Sequence, residues 1–236
     1  MTTISCIIAA YNEAARISEV LKAVENHPLL MEVIVVDDGS KDGTADVVRK
    51  FKNIKLIQHE INKGKSKAVA TAIAAAKGDL ICAIDADLEG FTAESVTRLL
   101  KPVLAGEATI AFSLRQNCPW FYRPIHFDIL SGERVYPKSF LEPHLDEIRR
   151  LSKFGIEVFM NHLIIQQKIP IIVVFLPGVV SPLKYHKSGY FSGSIGELKM
   201  VRDILKTVSL FEFVSQIYHL MKLRVATSQK FPNKKD

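Results

Sequence analysis

The sequence predicts an α/β protein with a mostly parallel central sheet flanked by helices and closed by a helical C-terminal extension. Three observations lead there. Short apolar runs bounded by turn residues alternate, through the first half, with amphipathic stretches of about ten or more residues, the rhythm of a sheet covered by helices. Three of those runs end in polar clusters: Tyr11-Asn12-Glu13, Asp37-Asp38 and Asp85-Ala86-Asp87. The rhythm then changes after Gln116, where aromatic, Pro and Gly residues interrupt it.

The elements follow in order. Ile4 to Ala10 is an apolar run stopped by Asn12 and reads as a buried strand. Glu13 to Asn26 places Ile17, Val20, Leu21 and Val24 on one helical face. Glu32 to Val36 is β-branched and runs into the turn cluster Asp37-Asp38-Gly39-Ser40. Gly43 to Phe51 reads as a helix capped by Asp42 or Ser40, with Gly supplying a positive φ. Strands follow at Ile54 to Gln58, Leu80 to Ile84 and Ala108 to Leu114, separated by an alanine-rich helix from Lys65 to Lys77 and a second from Thr92 to Leu104. Beyond Gln116, Phe140 to Gln167 reads as mostly helical and Ile171 to Phe175 as a strand. Pro177 to Ser194 reads as a mobile loop, and Glu197 to Leu223 as a closing helix. With no repeat and no linker, the expectation is one domain over residues 1–236. Its expected parts are residues 1–115, residues 116–195, and a C-terminal helix and basic tail over residues 196–236.

Composition removes several classes. Three scattered cysteines (Cys6, Cys82 and Cys118) exclude a disulfide scaffold or thiolate cluster and suit a reducing compartment. The N-terminus lacks the basic and apolar pattern of a secretory signal, and the apolar run Ile169 to Leu183 is broken by three prolines, too short to span a bilayer. A cytoplasmic protein is expected, peripheral on the membrane face if it binds lipid. The net charge of +6 favours anionic ligands in general, and no nucleic-acid motif accompanies it.

The chemistry gathers at strand ends, where ligands bind in such sheets. Asp85 and Asp87 lie two residues apart just past a buried strand, placed to converge on one hard divalent cation; a solvated acidic turn is the plainer alternative. A carboxylate in Asp37-Asp38 can accept hydrogen bonds from a base or ribose. Gly64-Lys65-Ser66 imitates the end of a phosphate-binding loop, but His59 stands where its first glycine belongs, so that reading fails. Lys65 still stands at a helix start facing a potential phosphate.

Ala10-Tyr11-Asn12-Glu13, Val35-Val36-Asp37-Asp38-Gly39-Ser40-Lys41-Asp42-Gly43-Thr44, Asn62-x-Gly64-Lys65, Ala76-x-Gly78-Asp79 and Asp85-Ala86-Asp87-Leu88 occur in an order and spacing that resemble the family 2 glycosyltransferases of the GT-A fold. The resemblance covers residues 1–115 and is nearest the branch of dolichol- and polyprenyl-phosphate sugar transferases. It implies a UDP- or GDP-sugar donor, Mg²⁺ or Mn²⁺, and inverting hexosyl transfer. It also implies a nucleotide held by Ala10, Tyr11 and Glu13, Asp38 at the base or ribose, Asp85 and Ala86 by the ribose and sugar, and Asp87 on the metal. Arg115 falls at a basic position near the phosphates or acceptor, Ser131-Gly132-Glu133-Arg134 at an acceptor-lining element, and Glu157 where the family often carries its base. His186 is a candidate second metal ligand, and Lys184 and Lys187 are candidate anion clamps. The chain departs from its lipid-phosphate relatives at Glu89-Gly90-Phe91 and Lys67, which bears on the acceptor rather than the donor.

Two rivals have sequence discriminators. A nucleotidyltransferase should carry a Gly-rich basic loop after the first strand, where this chain has Tyr11-Asn12-Glu13. A non-catalytic sugar-nucleotide or lipid-surface binder should have lost a metal carboxylate, yet Asp85 and Asp87 both remain. The acceptor stays open, with a lipid phosphate or small anionic molecule expected. The C-terminal segment, apolar along one face and followed by Lys222, Arg224, Lys230, Lys234 and Lys235, either packs on the domain with a frayed polar tail or lies on an anionic membrane surface.

Overall fold

The computed structural model of the chain describes residues 2–151, 155–181, 209–227 and 231. Their strands are β1 (Ile4–Ala10), β2 (Glu32–Asp37), β3 (Ile54–Gln58), β4 (Leu80–Asp85), β5 (Ile110–Arg115), β6 (Arg134–Pro137) and β7 (Ile171–Leu176). They form one sheet in the order β3-β2-β1-β4-β6-β5-β7. All neighbours pair in parallel except β6, which runs antiparallel to both β4 and β5. The expected mostly parallel sheet is therefore present, with one reversed strand that the sequence pattern did not signal.

Helices cover both faces, which is why the strands are apolar on consecutive residues. On one face Ile4, Cys6 and Ile8 of β1 pack with Val33 and Val35 of β2 against α1 (Ile17–Val24) and α4 (Ala93–Leu104). On the other, Ile7, Ile34, Val36 and Phe112 pack against α3 (Lys65–Ala75) and α7 (Gly155–Gln166). The alanines of α3 carry little side-chain bulk, so that helix seats closely on the sheet. Short helices α2 (Thr44–Val48), α5 (Lys138–Leu141) and α6 (Leu145–Arg150) fill the periphery, and α8 (Leu210–Leu223) packs its Phe213, Ile217 and Leu220 onto the α7 side.

Several expectations need adjustment. The N-cap of α2 is Gly43 at φ +87, not Asp42 or Ser40; Asp42 instead accepts from Thr44 N two residues on, and Ser40 Oγ accepts from Asn12 N. The stretch expected to be mostly helical from Phe140 to Gln167 is divided among α5, a short 3₁₀ turn, α6 and α7, because Pro143 and the extended backbone at Leu151 interrupt it. Thr92 caps α4 as a capping box with Ser95. Most of the expected loop Pro177 to Ser194 and the start of the closing helix lie outside the described residues.

Candidate active site

Register explains why distant segments meet. Ala9 pairs with Asp85 across β1–β4, and Ala10 pairs with Asp37 across β1–β2, so Tyr11, Asp38 and Asp87 all emerge past neighbouring strand ends. β5 runs parallel to β4, so Arg115 ends at the same edge. β6 runs the other way, so its start, with Ser131 and Gly132 just ahead of it, falls between them.

At the β1–β2 end, Asp38 is buried and its carboxylate is engaged by Lys63 N (2.9 Å), Gly64 N (2.7 Å) and His59 Nδ1 (2.7 Å). It thus fixes the loop that delivers Lys65. Gly39, at φ +73, lies so close to this loop that a Cβ would stand 2.5 Å from the Ile61 carbonyl carbon. Ala10 is buried and its carbonyl accepts from Asp38 N, whereas Tyr11 is exposed at the rim. Glu13 N donates to Thr44 Oγ1, and the Glu13 carboxylate pairs with Arg16 at 3.3 Å.

The centre is a relay of charges. Lys65 Nζ donates to Asp85 Oδ1 and Glu157 Oε1, each at 2.9 Å, joining α3, β4 and α7. Burial opposes its charge, but the two carboxylates outweigh that and hold the amine protonated beyond the ordinary lysine range. Burial likewise works against Asp85, yet Lys65 and then Arg115 keep its carboxyl below the usual range. Arg115 sits 4.0 Å from Asp85, 3.2 Å from Asp128 and 3.4 Å from Glu133. Burial disfavours its charge as well, but Glu133, Asp128 and Asp85 overcome this and fix it as a cation. Ala86 is buried, its side chain turned into the core between the two aspartates.

Asp87 is the exception. Burial, then the charges of Asp85 and Glu13, push its carboxyl up to about 6. This acidic group therefore suffers repulsion that Lys65 and Arg115 only partly relieve. No set of three or more His, Cys, Asp and Glu side chains among the described residues encloses a metal by itself. Asp87, whose charge is only partly offset, and Asp85 beside it at an open strand end fit a hard divalent cation that takes its other ligands from phosphate and water. His186, Lys184 and Lys187 lie outside the described residues.

A cavity of about 40 Å³ opens between Lys65, Asp85, Ser131, Gly132, Arg134 and Glu157. Glu157 Oε2 and Ser131 Oγ are buried there with no hydrogen-bond partner among the described residues. A Cβ on Gly132 would stand 2.3 Å from Asp85 Oδ2, so only glycine lets this backbone lie against the carboxylate. The structure thus brings Asp85, Lys65, Arg115 and Glu157 into one constellation, adds Asp128 and Glu133 as partners of Arg115, and leaves Tyr11 at the outer rim. Asp128 was missed in the sequence; its one trace is an acidic residue inside the apolar stretch Phe127 to Leu130.

The chain is similar to known proteins in both sequence and fold. A family model described as "Glycosyl transferase family 2" matches residues 5–166. A dolichol-phosphate mannosyltransferase of Pyrococcus furiosus is 28% identical over 93% of this chain and 64% of its own length. A dolichyl-phosphate beta-glucosyltransferase of Trichomonas vaginalis is 38% identical over 34% of this chain and 28% of its own. The chain thus spans about a quarter to two thirds of these curated relatives. Among solved structures, glucosyl-3-phosphoglycerate synthase of Mycobacterium tuberculosis superposes with a TM-score of 0.65 at 23% identity, over 91% of this chain and 80% of the other. The same synthase has been solved with Mn²⁺ and UDP-glucose, at a TM-score of 0.63 and 22% identity over 87% of this chain and 79% of the other. These likenesses carry the fold.

Proposed function

The chain belongs to glycosyl transferase family 2, and from that premise we propose that it moves a hexose, with inversion, from a nucleoside-diphosphate sugar to an acceptor phosphate in a cation-dependent reaction. The observation that carries this reading is the meeting of Asp85, Lys65, Arg115 and Glu157 at the strand edge where Asp87 emerges. Residues 1–115 form the donor half in this reading and residues 116–195 the acceptor half.

Tyr11 offers an exposed ring at the nucleoside end, beside the Ala10 and Ala86 backbone. Asp38 lines the same end and holds the Lys63–Gly64 amides that frame it. Asp87, assisted by Asp85, Glu13 and His186, would hold Mg²⁺ or Mn²⁺, which when bound offsets charge on the diphosphate leaving group. Lys65 and Arg115 are fixed cations beside that leaving group, so little reorganisation is needed as its charge develops. Asp85, held ionised, tolerates the positive charge that grows on the sugar ring as the anomeric bond breaks. A phosphate oxygen attacking from the opposite face is already anionic and needs no base. A second reading, with a hydroxyl acceptor, is favoured by the unpartnered Glu157 Oε2, which is placed to take a proton.

The relatives named as dolichol-phosphate and dolichyl-phosphate transferases make a polyprenyl phosphate the first acceptor to try, and the synthase solved with Mn²⁺ and UDP-glucose suggests the first donor and cation. In a thermal-shift panel of nucleoside diphosphates, one of them with Mn²⁺ raises the midpoint by several degrees, since ligand at about a hundred times its Kd adds about 2.7 kcal/mol. EDTA removes both that shift and sugar transfer, and added Mn²⁺ or Mg²⁺ restores them. A panel with no cation-dependent shift for any nucleotide removes the proposal.

A lipid-borne acceptor needs a way to the membrane. No helix among the described residues is long and apolar enough to cross one. The outward face of α8 carries exposed Leu210, Phe211, Val214 and Tyr218, with Lys222 Nζ 4.3 Å from the Tyr218 ring centre. An apolar stripe edged by lysine suits an anionic lipid surface. The protein is expected to sediment with phosphatidylglycerol vesicles and not with phosphatidylcholine ones, and the double variant Phe211→Ser/Val214→Ser to stay in solution. Equal sedimentation of variant and parent would remove α8 from this role.

A further inference from the structure

Arg134 is 1% exposed, and the groups that accept its hydrogen bonds are all uncharged. Its Nε donates to Ser131 O (2.7 Å), Nη2 to Ile129 O (2.7 Å), and Nη1 to Asn161 Oδ1 (2.9 Å) and Tyr136 OH (3.2 Å), while the guanidinium lies 4.2 Å from the centre of the Phe112 ring. Burying an arginine this completely is costly without such a full set of acceptors, so the arrangement is demanding to build. Asn161, fully buried on α7, completes the figure: its Nδ2 donates to Ile129 O at 2.9 Å. Loop 129–131, β6 and α7 are thus locked by one arginine and one asparagine.

The lock has a geometric consequence. Asn161 lies one helical turn after Glu157, and residues four apart share a helix face. Whatever fixes Asn161 on the loop therefore fixes where Glu157 meets Lys65. The same loop carries Gly132, whose backbone lies against Asp85. Asp85 and Glu157, the two carboxylates joined through Lys65, are aimed by opposite sides of one clasp.

We propose that Asn161 and Arg134 are positioning residues for transfer: their clasp sets the register of α7 on loop 129–132 and so places Glu157 and Asp85 on either side of Lys65. The role in transfer rests on the glycosyltransferase reading; the placement of Lys65 does not. The two are tested apart by measuring, without any substrate, how fast Lys65 is acetylated by acetic anhydride, read by mass spectrometry of its peptide. The side chain is about half exposed but held by two carboxylates, so freeing it raises its reactivity.

Asn161→Ala raises Lys65 labelling at least about fivefold, as Glu157→Gln does. Leu163→Ala, which removes buried bulk from the same helix without touching the clasp, leaves it within about twofold. Asn161→Ser, which breaks both side-chain contacts but keeps a polar group in the space, carries the same expectation if Asn161→Ala does not fold. Where the wild type turns over a nucleotide sugar, the Asn161 variants lower kcat at least about tenfold with donor KM within about threefold. Unchanged labelling in a folded Asn161 variant, or an equal rise in Leu163→Ala, overturns the clasp. Raised labelling with unchanged kcat overturns its role in transfer, and a wild type inert toward every nucleotide sugar overturns the functional reading alone.

Discussion

Asp87→Ala lowers sugar transfer by about a thousandfold or more while the protein remains folded, because it removes the carboxylate proposed to hold the cation. A companion effect on stability follows from the raised pKa of about 6. The unfolded chain titrates this group near 3.9, so the native state holds its proton more tightly than the unfolded one. Its charge therefore costs nothing below about pH 4 and an increasing amount as the pH climbs through 6, after which the cost is constant. Asp87→Asn accordingly gains on the order of 1 to 2 kcal/mol at pH 7.5 and nothing at pH 3.5, measured by urea unfolding without metal. Mn²⁺ stabilises the wild type at pH 7.5, less at pH 5 where the proton competes, and hardly stabilises the Asn variant. Turnover by Asp87→Ala near the parent rate, or an Asn variant less stable than the parent at pH 7.5, contradicts the assignment.

Gly132→Ala is the second large effect, and its size follows from geometry. The added methyl would stand 2.3 Å from Asp85 Oδ2 and 2.4 Å from Oδ1. Either the carboxylate swings off Lys65 or the loop retreats from β4, and both separate groups whose spacing the reaction needs. Transfer falls by about a hundredfold, the scale of a misplacement near 1 Å, at a folding cost of about 1 to 3 kcal/mol. Paired kinetics and urea unfolding measure the two; kcat within threefold of the parent would mean that the contact is not needed.

Much of the scaffold can be read from the chain because burial on both faces leaves a strong mark. β1 and β3 begin and end at the residues their apolar runs delimit, and Thr92 caps α4 where its helix pattern starts. β6 escapes because four residues opening with a charged Arg134 and closing with Pro137 carry no apolar periodicity, and because strand direction is decided by partners far along the chain. The site divides the same way. Asp85 and Asp87 are visible as a spaced pair, and Lys65 as a helix-start lysine. That Lys65 spends its charge on Glu157, 92 residues away, depends on α7 packing across the sheet, which no local pattern encodes. Asn161 did leave a trace, as an amide three or four residues from Val158, Ile164 and Ile165 on an apolar helical face, where an unpaired polar group would be costly.

The reversed strand has one more implication. β4 and β5 share no backbone ladder; each hydrogen-bonds to β6, whose paired positions run from Arg134 to Pro137. The half of the sheet ending in Asp85 and the half ending in Arg115 are thus two slabs stitched along a single narrow seam. If the far slab faces the acceptor, as proposed, such a seam lets that slab be remodelled for a different acceptor while the ladder β3-β2-β1-β4 keeps its register.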